Sequence, residues 1–281
     1  MSTTIASKME RIQTIFHDSQ ELVSQNKSIT ELVTHLETTD KDFLPVAFEA
    51  AAMAMALKDF SSGDAILNWQ TLLNSSKKFA CQIYLGMGWA VAREKRNIIS
   101  FIDELNRNMQ FRIWDGCGYF DGVFRQRQTV KGQKRLEHIQ AKDYQAYDEG
   151  LGRSLWYICK GDEKKLEELL QQFAPDRHAD LWRGIGIACS FVGGFEEAAL
   201  KNLLLIAGHH SIQLGIGAAM VAKSRIESDC KTEDIELACT IFCNLNAQEA
   251  MNITVKNKSV PNFSFSTFIL QMEKDILQHR K

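Results

Sequence analysis

A Gly-x-Gly signature returns along this chain at a nearly even interval. It reads Gly86-Met87-Gly88, Gly116-Cys117-Gly118, Gly150-Leu151-Gly152, Gly184-Ile185-Gly186 and Gly215-Ile216-Gly217, with Ala50-Ala51-Ala52 as a degenerate copy one interval upstream. Between first members the steps are 36, 30, 34, 34 and 31 residues. That is the length of a two-helix unit, and an internal period of this kind constrains a fold more than any single motif does. Glycine inside a helix costs roughly 0.5–1 kcal/mol against alanine, so five pairs need a physical reason. Close approach of neighbouring backbones is one reading; a turn leading into each helix is the other. A dinucleotide fingerprint is excluded, because no strand pattern precedes the glycines and no third glycine follows at the required spacing.

The unit itself is clearest at 150–175. An apolar stretch, Gly150 to Cys159, is followed by EKKLEELLQQF, in which Leu166, Leu169, Leu170 and Phe173 share one helix face. Asp162 is placed to cap the second helix and Pro175 to stop it. The expectation is an all-α fold: about six helix-hairpin repeats, a TPR-like α-solenoid or α/α superhelix with helical caps. Residues 1–40 read as an N-terminal helical cap, with Ser28 and Glu31 as a capping box. Residues 41–245 read as the helical repeat domain and 246–281 as a C-terminal cap, because terminal units of an array need a polar outer face.

Composition excludes several classes. Net charge is −2 over 281 residues, so no nucleic-acid footprint is visible. The basic run Arg125, Arg127, Lys131, Lys134 and Arg135 reads as a solvated segment. Seven cysteines with no CxxC pair read as small buried hydrophobes in a reducing compartment, with no metal site. No run of 18 apolar residues and no signal-peptide core is present, which predicts a cytoplasmic protein without a membrane span. No cofactor motif is legible, and the sequence is silent on oligomeric state.

Candidate chemistry gathers around the glycines. Glu49, Asp115, Asp148 and Glu149 stand just before them, and equivalent helices would bring these carboxylates together with Arg153, Arg183 and Arg125. Asp115, Asp121 and Glu149 are the candidate catalytic acids, since a buried carboxyl with raised pKa can donate a proton. Glu49, Trp114, Tyr119, Arg125, Asp148, Arg153, Trp182 and Arg183 are candidate binding residues. The alternative reading makes the same carboxylates structural partners of arginines on adjacent helices. With Gly116, Gly118 and Gly122 inside 114–125, that segment reads as an irregular binding loop. If Asp115 acts there rather than in packing, Asp115→Asn should leave stability nearly intact.

The stretches FEAAAMAMAL (48–57), DGCGYFDGVF (115–124), YDEGLGRSLWYICKGD (147–162) and ADLWRGIGIACSFVGG (179–194) resemble the enediyne-biosynthesis-associated family of unknown function (UnbL-type). The resemblance covers about 45–225. It implies a bacterial natural-product pathway without implying a reaction. The segment at Phe120 to Val123 lacks the histidine that the family pattern tends to carry there. Similarity to tetratricopeptide repeats is looser and concerns architecture alone. Two functions follow as expectations: a helical binding module for a protein partner or a hydrophobic small molecule, or an enzyme acting on a polyene, polyketide or isoprenoid substrate. A host-directed bacterial protein without a cleaved signal is a third. A closed apolar pocket holding Glu49, Asp115 and Glu149 would favour the enzyme; an open groove would favour the module.

Overall fold

In a computed structural model, residues 5–25, 28–63, 65–102, 104–135, 139–258 and 263–280 are described. Pro261 and Asn262, within the expected C-terminal cap, lie outside them. The described residues are helical and contain no strand. α1 (Ile5–Ser24) and α2 (Ile29–Leu36) open the chain, and the predicted capping box of Ser28 and Glu31 starts α2. Then follow α3 (Leu44–Ser62), α4 (Leu67–Ser75), α5 (Ala80–Glu94), α6 (Ile99–Ile102) and α7 (Gln110–Phe124). After a short π-helical turn at Arg127–Lys131 come α8 (Tyr144–Cys159), α9 (Glu163–Leu170), α10 (His178–Val192) and α11 (Glu197–Ala207). α12 (Ser211–Glu227), α13 (Glu233–Cys243), α14 (Ala247–Lys258) and α15 (Phe265–His279) complete it.

The glycines sit inside helices, and their role is close approach. α3, α5, α7, α8, α10 and α12 pack in that order, each against the next. The first glycine of a pair faces the helix before it. A Cβ on Gly86, Gly116, Gly150 or Gly184 would collide with the carbonyl oxygen of Glu49, Leu85, Asp115 or Glu149 respectively. The second faces the helix after it: Gly88, Gly118, Gly152 and Gly186 lie against the carbonyls of Ile113, Tyr147, Leu181 and Leu214. Only a missing side chain lets two helix backbones come this near.

This register corrects the spacing in the last unit. In each earlier helix the contacted carbonyl stands three residues before the first glycine, and the same step from Leu214 reaches Gly217, not Gly215. Gly217 also meets the Arg183 carbonyl of the preceding helix, as a first member should. The equivalent triplet is therefore Gly217-Ala218-Ala219. Gly215 belongs to a different contact, with Phe242 and Cys243 at the end of α13.

The segment at 114–125 is also corrected. It is regular helix, the body of α7, with Gly116 against α5 and Gly118 and Gly122 against α8. Its glycines are helix-packing positions on both flanks, which a propensity argument reads as disorder.

The last glycine-bearing helix returns to the first. The Arg225 guanidinium in α12 donates to the carbonyl of Asp42 at 2.8 Å, and Gln82 of α5 donates to Ser224 of α12 at 2.5 Å. Residues from all six helices border one small void of about 20 Å³. α1 lies against α3 and touches α10, with Lys8 paired to Asp234 at 2.5 Å. It therefore spans the bundle rather than covering its first unit alone.

The stretch Glu197–Glu227 is long and apolar enough to cross a membrane by composition, but 61% of that window is buried within the fold. A core segment passes the same test. Six of the cysteines are buried and Cys81 is half-buried, all as free thiols, as expected of small hydrophobes. His178 opens α10, with Nε2 at 2.9 Å from the Phe173 carbonyl.

Substitution strain should follow the contact geometry. A Cβ on Gly150 would overlap the Asp115 carbonyl, whereas on Gly215 its nearest neighbour is 2.7 Å away. Gly150→Ala should lower unfolding free energy by about 1–3 kcal/mol or more in urea titration, the range for overpacked cores, and Gly215→Ala by less. Equal effects would refute the register.

Candidate functional site

Once the register is set, two rows of side chains become equivalent. The residue before the first small position is Glu49, Leu85, Asp115, Glu149, Arg183 or Ile216, and three after it come Met53, Trp89, Tyr119, Arg153, Ile187 and Met220. All twelve are buried. The shared inward direction brings Glu49, Asp115, Glu149, Arg153 and Arg183 into one interior, whereas Asp148 and Arg125 of the predicted set lie in separate clusters.

Most of them pair with one another. Asp115, fully buried, accepts from Arg112 at 3.1 Å and Arg153 at 3.0 Å. Glu149, equally buried, accepts from Arg183 at 2.5 Å, with Arg112 at 3.5 Å. Arg183 also holds Asp180 at 2.7 Å and Gln213 at 3.0 Å. Three arginines thus meet three carboxylates in one desolvated network. Burial raises the Glu149 pKa while Arg183 opposes the rise.

Two further carboxylates anchor separate clusters. Asp148 is gripped by Arg135 and Arg177. Asp121 pairs with Arg125 and accepts from the Tyr147 hydroxyl at 2.7 Å; burial raises its pKa against those partners. Arg125 and Arg135 are therefore ion-pair members and not part of a solvated run.

A cavity of about 660 Å³ lies between α1, the N-terminal half of α3 and the C-terminal halves of α5, α7, α8 and α10. Its roof is Ile12, Gln13, Phe16, His17 and Gln20 of α1. Its walls are largely aromatic and centre on Trp89, whose ring is 4.8 Å from Phe16, 4.9 Å from Tyr119 and 5.8 Å from Phe120. Phe124, 63% exposed, marks the rim. Val46, Met53, Val123, Tyr157 and Phe191 add to the lining. Such a volume and lining match the usual small-molecule pocket, largely apolar with few polar groups.

Glu49, Arg153 and Phe191 border both this cavity and the small void beneath it, and so form its floor. Arg153 is committed: it bonds Asp115 and lies 4.6 Å above the Tyr119 ring. Burial alone would lower its pKa, but Asp115 and Glu49 raise it. Glu49 is 5% exposed, and no cation comes within 4 Å of its carboxylate among the described ion pairs. Burial pushes its pKa up from 4.5 to about 7, with Arg153 opposing and Asp115 adding to the rise. The Trp89 indole acts on the same carboxylate as a weak donor and also opposes the rise.

Of the candidate residues, Glu49, Tyr119, Arg125 and Arg153 line the cavity. Asp115, Asp121 and Glu149 do not; they sit in the ion-pair clusters, as do Asp148 and Arg183. Trp114 and Trp182 are buried between helices. Sequence reasoning missed Trp89, Met53 and Phe191, and above all the α1 residues. Trp89 follows Gly88 directly, and the glycine register would have found it; Ile12 and Phe16 share the apolar seam of α1, a spacing that reads as packing rather than as a cavity wall. No group of three or more metal-ligating side chains occurs among the described residues.

An all-helical chain with a half-open aromatic cavity beneath its N-terminal helix defines the class. The chain belongs to the DUF1702 family, described as a protein of unknown function, whose profile matches residues 1–267. No curated protein and no solved structure matches it.

Two outcomes follow from the electrostatics. Asp115→Asn should destabilise the fold by about 3–5 kcal/mol in chemical denaturation, because it strips the partner from two buried arginines. This reverses the near-neutral effect expected of a purely catalytic Asp115. Glu49 acts in the opposite sense. Its carboxyl binds a proton more tightly folded than unfolded, so its contribution to stability is lost as pH rises from 4.5 through about 7. At 1.36 kcal/mol per pH unit the loss is roughly 3 kcal/mol. Glu49→Gln should therefore gain stability relative to the wild type between pH 5 and pH 8, measured by urea titration at each pH; parallel profiles would contradict it.

Proposed function

We propose that this protein binds a predominantly apolar small molecule in the cavity under α1. The observation that carries the reading is the cavity itself: about 660 Å³, walled by the Trp89 ring cluster and floored by Glu49 and Arg153. Apolar walls supply affinity, and a few fixed polar groups set orientation. We read α3, the five glycine-bearing helices and their outer partners as one helical repeat array, wound tightly enough that its ends meet. This is tighter than the open groove of a TPR-type solenoid, and it favours an enclosed small molecule over a protein partner. The resemblance at 147–162 to enediyne-associated proteins supplies a context, in which the occupant is an apolar intermediate of a bacterial natural-product pathway.

A second reading is enzymatic, and Glu49 favours it. A carboxyl with a pKa near 7 can take or give a proton at neutral pH. Under this reading the catalytic acid is Glu49, and Asp115 and Glu149 position Arg153 and its neighbours rather than react.

Mass spectrometry of small molecules released from the purified protein, together with titration by the neutral dye Nile red, tests the reading. An apolar compound should be released, and the dye should brighten on binding the emptied protein. Val123→Trp, which fills the cavity wall, should weaken dye binding at least about tenfold, or 1.4 kcal/mol. A protein that releases nothing and leaves the dye dark would overturn it.

A further inference from the structure

The unmatched carboxylate narrows the chemistry of the occupant. We infer that the cavity takes a hydrophobic organic cation, an amine or quaternary ammonium group on an apolar body, with Glu49 as its counter-ion and the Trp89 ring cluster as its walls. This rests on the cavity being a binding site, as proposed above.

Three observations converge. First, the ion-pair network beneath the cavity balances without Glu49: Arg112, Arg153 and Arg183 meet Asp115, Glu149 and Asp180, while the buried Arg225 is held by the carbonyls of Asp42, Phe191 and Cys230. Glu49 adds one negative charge that no guanidinium within 4 Å neutralises. A buried charge without a partner is costly, and a cation delivered by a ligand removes that cost. Second, the side chain opens where the ligand would sit. Glu49 is 95% buried by the complement of its 5% exposure, yet it borders the cavity rather than the packed core alone. Third, the adjoining walls are the faces and edges of Trp89, Tyr119, Phe120 and Phe16. Stacked aromatic faces attract an organic cation, and most strongly when it is desolvated.

The cationic side chains around the cavity are otherwise engaged. Arg153 is held by Asp115 and the Tyr119 ring. Arg125 is held by Asp121 and donates to the Ala92 carbonyl at 2.7 Å. Arg93 pairs with Glu94 at 3.7 Å, and His17 lies 3.3 Å from Glu21 on α1. None of these occupies the Glu49 position. An anionic ligand would have to displace Asp115 from Arg153 and would then sit beside Glu49.

Calorimetric titration with three chain-matched probes distinguishes these cases: decyltrimethylammonium, decanol and decanoate, each below its micellar concentration. The ammonium probe should bind the wild type at least about tenfold more tightly than decanol, in line with a desolvated cation–π contact plus a counter-ion. Decanoate should bind most weakly. Glu49→Gln should reduce the ammonium advantage to about twofold or less while leaving decanol binding in place, and Glu49→Asp should restore part of it. Equal binding of ammonium and decanol, or an ammonium preference that survives Glu49→Gln, overturns the cation assignment while leaving the apolar binding site standing. Failure of all three probes to bind overturns both readings. Circular dichroism of each variant confirms that the fold is retained.

Discussion

Six helices of this protein approach so closely that the carbonyl oxygens of one press against the Cα atoms of the next, and everything else in the interior depends on that contact. The first and second small residues of each unit face opposite neighbours, so one triplet fixes two interfaces at once. The arrangement leaves little freedom in helix rotation. With the glycines committed to the flanks, the residues just before them and three after them must point inward. A backbone constraint thereby decides which side chains are desolvated.

Desolvation then decides the electrostatics. Carboxylates and guanidiniums that occupy inward positions cannot remain solvated, and buried charges are tolerated only when paired. The Asp115, Glu149 and Arg183 network is the result, knitting α7, α8 and α10 together across the interior. Asp121 and Asp148 do the same at the two flanks of α7 and α8, recruiting Arg125, Arg135 and Arg177 from the connecting segments. Side chains that a site-hunting eye marks as catalytic acids are therefore mostly the joints of the fold. The cavity forms nearer the C-terminal ends of α5, α7, α8 and α10, where the inward side chains are rings and aliphatics and α1 closes the gap.

The identity of these segments as helices was legible from the sequence, because amphipathic faces and the absence of strand patterning are local signals. So was the gathering of Glu49, Asp115, Glu149, Arg153 and Arg183, which follows once equivalent positions are assumed to face one interior. The offset at Gly215 was not, since both Gly215 and Gly217 satisfy the motif and only contacts with Arg183 and Leu214 separate them. The irregularity read into 114–125 failed for a related reason: propensity penalises each glycine singly, whereas packing on two flanks rewards all three. Pairing of these carboxylates with arginines of adjacent helices was legible as the alternative reading; only the part of Arg112 was hidden, because it had no place in the motif. The role of α1 was hidden because Ile12 and Phe16 carry the cavity while Met9, Ile15 and Val23 carry the packing, so that its apolar residues divide between two surfaces.

What sets Glu49 apart is that the fold does not need it. Equivalent positions in α5 and α12 hold Leu85 and Ile216, both buried, so the register accepts an apolar side chain there without a clash. Asp115 and Glu149, at the same position in α7 and α8, neutralise arginines that would otherwise be stranded. Glu49 has no guanidinium within 4 Å, with Arg153 acting on it only from further off, and at neutral pH its burial costs about as much as a sizeable core cavity would. A leucine at this position would relieve that cost, as replacing buried charges by apolar residues often does. A carboxylate that weakens the fold and faces an aromatic cavity finds its physical explanation in what enters that cavity.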